Sequence, residues 1–205
     1  MPGYRAAKEY ETPKIWCYFR KITSLYRTHF MPSDTPPSDW IARFSGEARA
    51  PVLDLACGAG RHARLFLELG LTVTAVDRDM SRMADIASNP GLTCIEADLE
   101  TDPPGWRPAP GAFGTVIVTN YLWRPLLPAL IDAVAPGGRM IYETFAIGNE
   151  RFGKPSNPDF LLAPDELRDA VSGKLEVVAF EQGETLVPRP AVIQRICATR
   201  PESPR

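Results

Sequence analysis

The segment Pro51–Ala63, PVLDLACGAGRHA, predicts a strand that runs through a glycine-rich turn into a helix. The apolar residues before Gly58 are typical of a buried strand, and Arg61–Leu69 is typical of the helix that follows. Gly58 and Gly60 have no Cβ, so the backbone between strand and helix can turn tightly and approach a ligand closely. The first N–H groups of the helix lack partners within it and can bind such a ligand. We therefore expect a ligand site at this turn.

The downstream segments alternate apolar strands with helices, which is typical of a parallel sheet covered on both faces. The predicted strands are Val52–Ala56, Leu71–Val76, Leu92–Ile95, Gly114–Thr119 and Arg139–Phe145, and the later predicted helices are Leu126–Val134 and Ala163–Val171. Two final strands, Lys174–Phe180 and Ala191–Ala198, have no helix between them and so predict an antiparallel hairpin. The expected fold class is α/β, a Rossmann-like, doubly wound, mostly parallel seven-stranded sheet with an antiparallel C-terminal hairpin.

Charge is distributed unevenly along the 205 residues, whose net charge is −2. Residues 1–30 contain six Lys or Arg and two Glu, a net charge of +4, which leaves −6 for the rest of the chain. Apolar residues recur at helical spacing over residues 15–26. This pattern predicts one of two structures. One is a basic amphipathic helix that lies on a membrane or works as a targeting segment, and the other is a helix that packs on the rest of the chain or extends from it. We predict an N-terminal extension over residues 1–35 and a single domain over residues 36–205.

Composition argues against several classes of function. The net negative charge of residues 31–205 disfavours a nucleic-acid partner, because proteins bind phosphate backbones with clustered Lys and Arg. Four widely spaced cysteines and two histidines form no metal-ligand pattern, so we expect no bound metal, and reduced thiols in a cytoplasmic protein. No run of about 18 apolar residues occurs, so we expect no membrane-spanning segment.

Three carboxylates indicate which ligand binds at the glycine loop. Asp77 ends the second predicted strand, where a carboxylate takes ribose hydroxyls in both a nicotinamide dinucleotide and S-adenosylmethionine. Asp54 precedes the loop and suits a ligand with an ammonium group, which S-adenosylmethionine has and NAD lacks. Asp98 follows the third strand and can accept a hydrogen bond from an adenine amino group. The G-x-G-x-x-A spacing alone fits both ligands, so an NAD(P)-dependent oxidoreductase is the alternative, although no Tyr-x-x-x-Lys occurs.

Residues 51–200 resemble the class I S-adenosylmethionine-dependent methyltransferases. The segments that carry the resemblance, in the order typical of that family, are VLDLACGAG, VTAVDRD, CIEADLE, VIVTNYL and APGGRMIYETF. The family usually has glycine where this chain has Ala56, and we expect a slightly tighter loop there. The resemblance implies a cofactor site formed by Asp54, Ala56, Gly58, Gly60, Asp77, Asp98, Leu99 and Asn120. The layout is most similar to the tellurite-resistance type, which implies a small-molecule acceptor such as a thiol, an oxyanion or another metabolite.

The ends of the fourth and fifth strands contain the candidates for acceptor binding and catalysis. Alignment of acceptor and methyl group supplies much of the rate of such a transfer, so a catalytic base is not obligatory. The catalytic candidates are Asn120, Tyr121 and Glu143, where Glu143 is either a base or ammonium partner or a structural hydrogen-bond acceptor, and the candidate substrate-binding residues are Trp123, Arg124, Arg151 and Lys154. The basic side chains among them favour an anionic acceptor, and the long segment Ala146–Leu162 predicts either a lid or a solvated loop. A scaffold that binds the cofactor without catalysis is a further alternative, and the oligomeric state is left open.

Overall fold

The computed structural model describes residues 35–202. The helix predicted within residues 15–26, and the extension predicted over residues 1–35 apart from its last residue, lie outside the described part. The boundary predicted between that extension and the domain over residues 36–205 therefore stays a prediction.

Seven strands form one mixed sheet in the described part of the chain. They are β1 (Val52–Leu55), β2 (Val73–Asp77), β3 (Leu92–Glu96), β4 (Phe113–Thr119), β5 (Val134–Phe145), β6 (Glu176–Thr185) and β7 (Ala191–Thr199). Their order is β3-β2-β1-β4-β5-β7-β6. Neighbours from β3 to β5 are parallel, and β7 is antiparallel to both β5 and β6. The predicted fold class is confirmed, including the antiparallel C-terminal hairpin.

The helices are short; the first precedes β1 in the chain and the others lie between strands. They are α1 (Asp39–Phe44), α2 (Arg61–Glu68), α3 (Leu127–Ala133) and α4 (Glu166–Val171), and 3₁₀ turns lie at Ser45–Glu47, Ser81–Met83, Arg124–Leu126, Asn149–Arg151 and Pro158–Phe160. Within residues 35–202, none of the helices has the length and apolar character needed to cross a membrane.

The helical cover expected on both faces is missing along β3. The connection from β2 to β3 contains only the 3₁₀ turn Ser81–Met83, and residues 97–112 before β4 contain no helix. Four prolines lie among residues 103–110. Because proline lacks an N–H and its ring clashes with the preceding turn, these prolines oppose helix formation. Three of the five residues of β3 are consequently exposed.

Two strands are longer than the sequence predicts. β5 begins at Val134 rather than Arg139, because Val134 pairs with Phe113 of β4. β6 continues to Thr185 rather than Phe180, because its second half pairs with the start of β7. Pairing with a neighbouring strand defines the start of β5 and the end of β6. The local sequence pattern does not show which strand that neighbour is.

The core lies around the central strands. Val116, Ile117 and Val118 of β4 are completely buried, and Tyr142 of β5 belongs to the main apolar cluster with leucines of α3 and α4. Trp40 fixes α1 to the sheet, since its indole N–H donates to the carbonyl of Ile196 at 3.2 Å. This packing leaves the carboxyl ends of β1, β2, β4 and β5 together at one edge of the sheet.

Candidate functional site

The glycine loop joins β1 to α2 at this edge. Ala56, Gly58 and Gly60 all have positive φ, of 52°, 56° and 71°. Gly60 is packed so closely that a Cβ there would lie 2.7 Å from Cε of Met83. A positive φ is unfavourable for alanine, and such strain clusters at ligand-binding sites. The loop therefore has the tight turn that the sequence predicts, with strain at Ala56.

Asp54 lies beneath the loop. It is 1% exposed, and its Oδ2 accepts a hydrogen bond from the N–H of Ala63, in the first turn of α2, at 2.9 Å. Burial raises the pKa of Asp54 to about 7, and the bond from Ala63 opposes part of this shift. Asp54 lines neither of the two cavities described below. In this geometry it supports the loop and the helix from behind, and any effect on a ligand passes through them.

Asp77 lies at the end of β2 and contacts the loop. Its Oδ2 accepts a hydrogen bond from the N–H of Gly58 at 2.8 Å, and its Oδ1 accepts one from the N–H of Asp79 at 3.2 Å. The side chain also lines a cavity. The carboxylate thus ties β2 to the glycine loop and remains accessible to a ligand.

A cavity of about 320 Å³ lies at the carboxyl ends of β1, β2 and β3. It is lined by Ala56, Asp77, Arg78, Ala97, Asp98, Leu99, Glu100 and Tyr121. Half of the predicted cofactor residues are therefore in one wall. The volume falls in the range of roughly 300–1,000 Å³ that is usual for small-molecule sites.

Asp98 and Leu99 lie side by side after β3. Asp98 is exposed, and its Oδ1 accepts a hydrogen bond from the N–H of Glu100 at 2.9 Å. Leu99 is 5% exposed and packs on the main apolar cluster. An apolar surface beside a hydrogen-bond acceptor can accommodate a purine ring with an amino group.

Asn120 follows β4 in a strained conformation, with φ of 54°. Its N–H donates to the carbonyl of Glu143 at 2.9 Å, which holds β4 and β5 together beyond the regular ladder. Ala56 and Asn120 therefore place residues of positive φ after two adjacent strands. Backbone strain of this kind is typical of binding and catalytic sites.

A smaller cavity, of about 180 Å³, adjoins the first. It is lined by Glu100, Asn120, Tyr121, Leu122, Thr144, Phe145, Pro155 and Phe160. Glu100 and Tyr121 line both cavities. The two cavities are therefore neighbours that share part of their walls.

Tyr121 lies at this shared wall. Its hydroxyl is buried and has no hydrogen-bond partner among residues 35–202. Burial raises the pKa of Tyr121 well above its ordinary value, and the nearby carboxylates of Glu100 and Asp98 raise it further. The hydroxyl is therefore protonated at neutral pH and can donate a hydrogen bond to a ligand.

Glu143 is engaged elsewhere. The hydroxyl of Ser38 donates to its Oε1 at 2.8 Å, and Arg195 pairs with its Oε2 at 3.3 Å. The backbone N–H of Ser38 donates to Nε2 of His62 at 3.1 Å, and burial lowers the pKa of His62 to about 3, so the ring is neutral. Glu143 lines neither cavity. It anchors the segment that leads into α1.

The four predicted substrate-binding residues lie outside both cavity walls. Arg124 donates to both carboxylate oxygens of Glu166, at 2.6 and 2.9 Å, and to the carbonyls of Asp159 and Leu161. Arg151 pairs with Glu184 at 2.8 Å.

The two remaining substrate candidates have different surroundings. Trp123 packs against the main apolar cluster, and Lys154 is exposed. Neither residue lines either of the two cavities described above. Among residues 35–202, no group of three or more His, Cys, Asp or Glu is arranged to hold a metal ion.

Several wall residues were missed by sequence reasoning. Glu100 was overlooked beside Asp98, and Thr144 and Phe145 were overlooked beside Glu143. The sequence contained one signal for these residues, namely their position at the end of a strand or shortly after it. Pro155 and Phe160 belong to the predicted lid segment, and both line the smaller cavity. The predicted candidates of this segment, Arg151 and Lys154, do not line that cavity, and the lid itself stays a prediction.

No protein-family model matches the sequence. The chain is 31% identical over 170 residues to a ubiquinone biosynthesis O-methyltransferase from Caulobacter sp. (strain K31), with 65% of each protein covered. It is 30% identical over 131 residues to a trans-aconitate 2-methyltransferase from Streptomyces avermitilis, with 58% of this chain and 49% of that protein covered. The chain thus spans less than two thirds of the length of either relative.

Solved structures share the fold at lower identity. TehB from Haemophilus influenzae superposes with a TM-score of 0.62 at 17% identity, over 86% of this chain and 65% of that one. The 1,6-didemethyltoxoflavin-N1-methyltransferase of Burkholderia thailandensis, solved with S-adenosylhomocysteine, superposes with a TM-score of 0.58 at 15% identity, over 96% and 94%. A 16S rRNA (adenine(1408)-N(1))-methyltransferase from Catenulisporales acidiphilia superposes with a TM-score of 0.53 at 16% identity, over 84% and 95%. The chain therefore has the fold of S-adenosylmethionine-dependent methyltransferases, and this fold serves acceptors of different kinds.

Proposed function

We propose that this chain transfers a methyl group from S-adenosylmethionine to a small-molecule acceptor. The observation that carries the proposal is the junction of the two cavities. The larger one is lined by Ala56, Asp77, Asp98 and Leu99, which suit the cofactor, and it meets a smaller one at Tyr121. Both curated relatives are methyltransferases by name, with small-molecule acceptors in those names.

The charge of the larger cavity fits this cofactor. Its wall contains three carboxylates, those of Asp77, Asp98 and Glu100, and one guanidinium, that of Arg78. S-adenosylmethionine has a sulfonium, an ammonium and one carboxylate and is a net cation, so opposite charges attract it at short range. The pyrophosphate of NAD is anionic, and it would be repelled by the same wall. The residues therefore favour the sulfonium cofactor over a dinucleotide.

The proximity of Asp54 to the glycine loop adds to this preference. Its carboxylate already takes the N–H of Ala63, in the first turn of α2. A helix N-terminus that binds a pyrophosphate uses these N–H groups and the positive end of the helix dipole. Here the buried side chain of Asp54 occupies one of those N–H groups, which leaves fewer of them for an anion at the same helix end.

Five of the residues that line the two cavities have proposed roles. Asp77 accepts hydrogen bonds from ribose hydroxyls, Asp98 accepts one from the adenine amino group, and Leu99 provides an apolar surface for the ring. When bound, the cofactor supplies an electrophilic methyl group on a sulfonium. Asn120 and Tyr121 orient the acceptor, since both line the smaller cavity. Walls that exclude water and hold the reactants in line supply most of the rate, about 7–11 kcal/mol in well-oriented model reactions.

Calorimetry with two ligands tests the proposal. We expect S-adenosylhomocysteine to bind the wild-type protein and NADPH to show no binding under the same conditions. Methyl transfer is then measured with radiolabelled cofactor and a panel of small metabolites. Binding of NADPH alone would identify a dinucleotide oxidoreductase site instead. Binding of S-adenosylhomocysteine with no transfer to any acceptor of a broad panel would identify a cofactor-binding scaffold.

A further inference from the structure

The smaller cavity has a lining that selects among acceptors. Three aromatic side chains, Tyr121, Phe145 and Phe160, lie in its wall with the apolar Leu122 and Pro155. Aromatic rings pack favourably against one another in offset or edge-to-face geometry. The wall is therefore suited to a flat ring.

The same lining disfavours an anionic acceptor. No lysine, arginine or histidine of the described residues lines the smaller cavity, and Glu100 is its single charged side chain. An anion placed there would lose its hydration without gaining a cationic partner, and Glu100 would repel it. This differs from the anionic acceptor that the sequence favours.

Two of the three basic side chains on or near the predicted lid segment, those of Arg124 and Arg151, have other partners. Arg124 is held by Glu166 and by two backbone carbonyls, and Arg151 pairs with Glu184. Lys154 lies on the lid segment but does not line the cavity. Because Arg124 stabilises the lid segment, it cannot turn to an anionic ligand without releasing that segment.

A cationic acceptor is disfavoured for a chemical reason. A protonated amine has no lone pair to accept a methyl group, so it must lose its proton before it reacts. Glu100 would stabilise the protonated form, because an adjacent carboxylate raises the pKa of an ammonium. An uncharged acceptor avoids both penalties.

The size of the cavity limits the acceptor to about one ring. An engineered cavity of about 150 Å³ in another protein holds benzene, and the smaller cavity here has about 180 Å³. Asn120 and Thr144 provide polar side chains in the wall for one substituent of the ring. The hydroxyl of Tyr121, buried and without a partner among residues 35–202, can provide another hydrogen bond.

We infer that the smaller cavity selects an uncharged acceptor built on a single aromatic ring. The inference rests on the proposed methyl transfer, since it names the acceptor class of the same site. It places the ring against Tyr121, Phe145 and Phe160, with its polar substituent toward Asn120 and Thr144.

Two para-substituted phenols of similar size, one neutral and one anionic, test the inference. The protein is saturated with S-adenosylhomocysteine and titrated by calorimetry with 4-hydroxybenzyl alcohol and, separately, with 4-hydroxybenzoate. We expect the neutral alcohol to bind at least tenfold more tightly. Equal or tighter binding of the benzoate overturns the inference, as does failure of the alcohol to bind at millimolar concentration. The preceding saturation step measures cofactor binding, so its failure would count against the proposed function rather than against the acceptor class.

A charge introduced into the wall provides the matched control. Phe160→Lys adds an ammonium to the smaller cavity, and Phe152→Lys adds one to the same segment outside it; the two phenylalanines are 38% and 42% exposed. We expect Phe160→Lys to increase the affinity for 4-hydroxybenzoate at least tenfold and Phe152→Lys to leave it unchanged. An equal effect of both variants, or no effect of Phe160→Lys, would mean that the ring binds elsewhere and would overturn the inference.

Discussion

The carboxylate of Asp77 accepts a hydrogen bond from the amide of Gly58 at 2.8 Å, which connects the end of β2 to the loop after β1. These two strands are parallel neighbours, so their carboxyl ends meet at one edge of the sheet. One side chain therefore both shapes the glycine loop and lines the larger cavity. This double role makes Asp77 the most informative residue for mutation.

Replacement of Asp77 by alanine should weaken binding of S-adenosylhomocysteine at least tenfold, about 1.4 kcal/mol. The reason is the loss of the proposed ribose partner together with the contact to Gly58. Calorimetry measures the affinity, and circular dichroism checks that the fold is retained. Asp79→Ala is the control, because Asp79 is exposed and does not line the cavity. Wild-type affinity in Asp77→Ala would remove the ribose assignment.

The raised pKa of Asp54 should appear as a pH dependence of stability. Burial raises this pKa from 3.8 to about 7, so between these values the folded protein binds more protons than the unfolded chain. Stability therefore falls as pH rises through this window and levels off above it. The contribution is on the order of 4 kcal/mol, at about 1.4 kcal/mol for each unit of pKa.

Asp54→Asn isolates that contribution, because asparagine keeps an oxygen for the N–H of Ala63 and cannot ionise. The free energy of unfolding of each protein is measured by urea denaturation across the window. The wild-type value minus the Asp54→Asn value should decrease as pH rises, since all other groups cancel in the difference. Arg61 and Asp77 also act on Asp54 and are present in both proteins. A difference that does not change with pH would show that Asp54 has an ordinary pKa.

Replacement of Ala56 by glycine should stabilise the protein by about 1 kcal/mol, because the left-handed conformation at φ 52° costs alanine roughly 1–2 kcal/mol and glycine almost nothing. Part of that gain is offset by the greater freedom of glycine in the unfolded chain. Thermal unfolding should show a rise of about 2–4 °C. Ala97→Gly is the control, because Ala97 lines the same cavity without a positive φ and should lose stability. A loss of similar size in both variants would contradict the prediction.

Tyr121→Phe and Tyr142→Phe should have opposite effects on stability. The hydroxyl of Tyr142 donates to the carbonyl of Tyr121 at 2.8 Å, so its removal should cost about 1 kcal/mol. The hydroxyl of Tyr121 is buried without a partner in the described part of the chain, so its removal should cost nothing or stabilise. Urea denaturation measures both. Equal destabilisation would show that the Tyr121 hydroxyl has a partner in solution. Methyl transfer should nevertheless fall in Tyr121→Phe if this hydroxyl orients the acceptor.

Arg124→Lys should loosen the segment that carries Phe160 in the wall of the smaller cavity. The guanidinium bridges Glu166 and the carbonyls of Asp159 and Leu161, and lysine cannot reproduce this fork. Hydrogen exchange should accelerate in residues 157–162, while S-adenosylhomocysteine affinity stays within about twofold, since Arg124 does not line the larger cavity. Arg168→Lys is the control, because its ion pair with Asp165 is exposed. Unchanged hydrogen exchange in Arg124→Lys would contradict the proposal that Arg124 holds this segment in place.

The succession of strands and helices along the chain and the glycine loop follow from local patterns. Apolar runs of strand length, the turn at Gly58 and Gly60, and the absence of a helix before Ala191 predict the mixed sheet. The prolines of residues 103–110 could also have predicted the missing helical cover along β3, because proline opposes helix formation whatever surrounds it.

The residues of the candidate site also fall into those that the local sequence predicts and those whose partners only the structure shows. Sequence alone predicts Asp77, Asp98 and Leu99 as cofactor residues, and all three line the larger cavity, because residues that end or follow a parallel strand lie at the ligand edge of such a sheet. It could not assign Arg124 or Glu143, because both have partners more than 35 residues away in the chain.

The sequence by itself therefore determined the fold and predicted the edge of the sheet at which a ligand site lies, since both depend on periodicity and on the conformational freedom of glycine. Only the tertiary structure decided which side chains face that edge. Asp54 lies beneath α2, and Arg124 and Arg151 are held in ion pairs. Phe145 and Phe160 lie together in the wall of the smaller cavity. The physical reason is that a charge or a ring takes the partner that long-range packing brings within reach, and a local pattern contains no record of that partner.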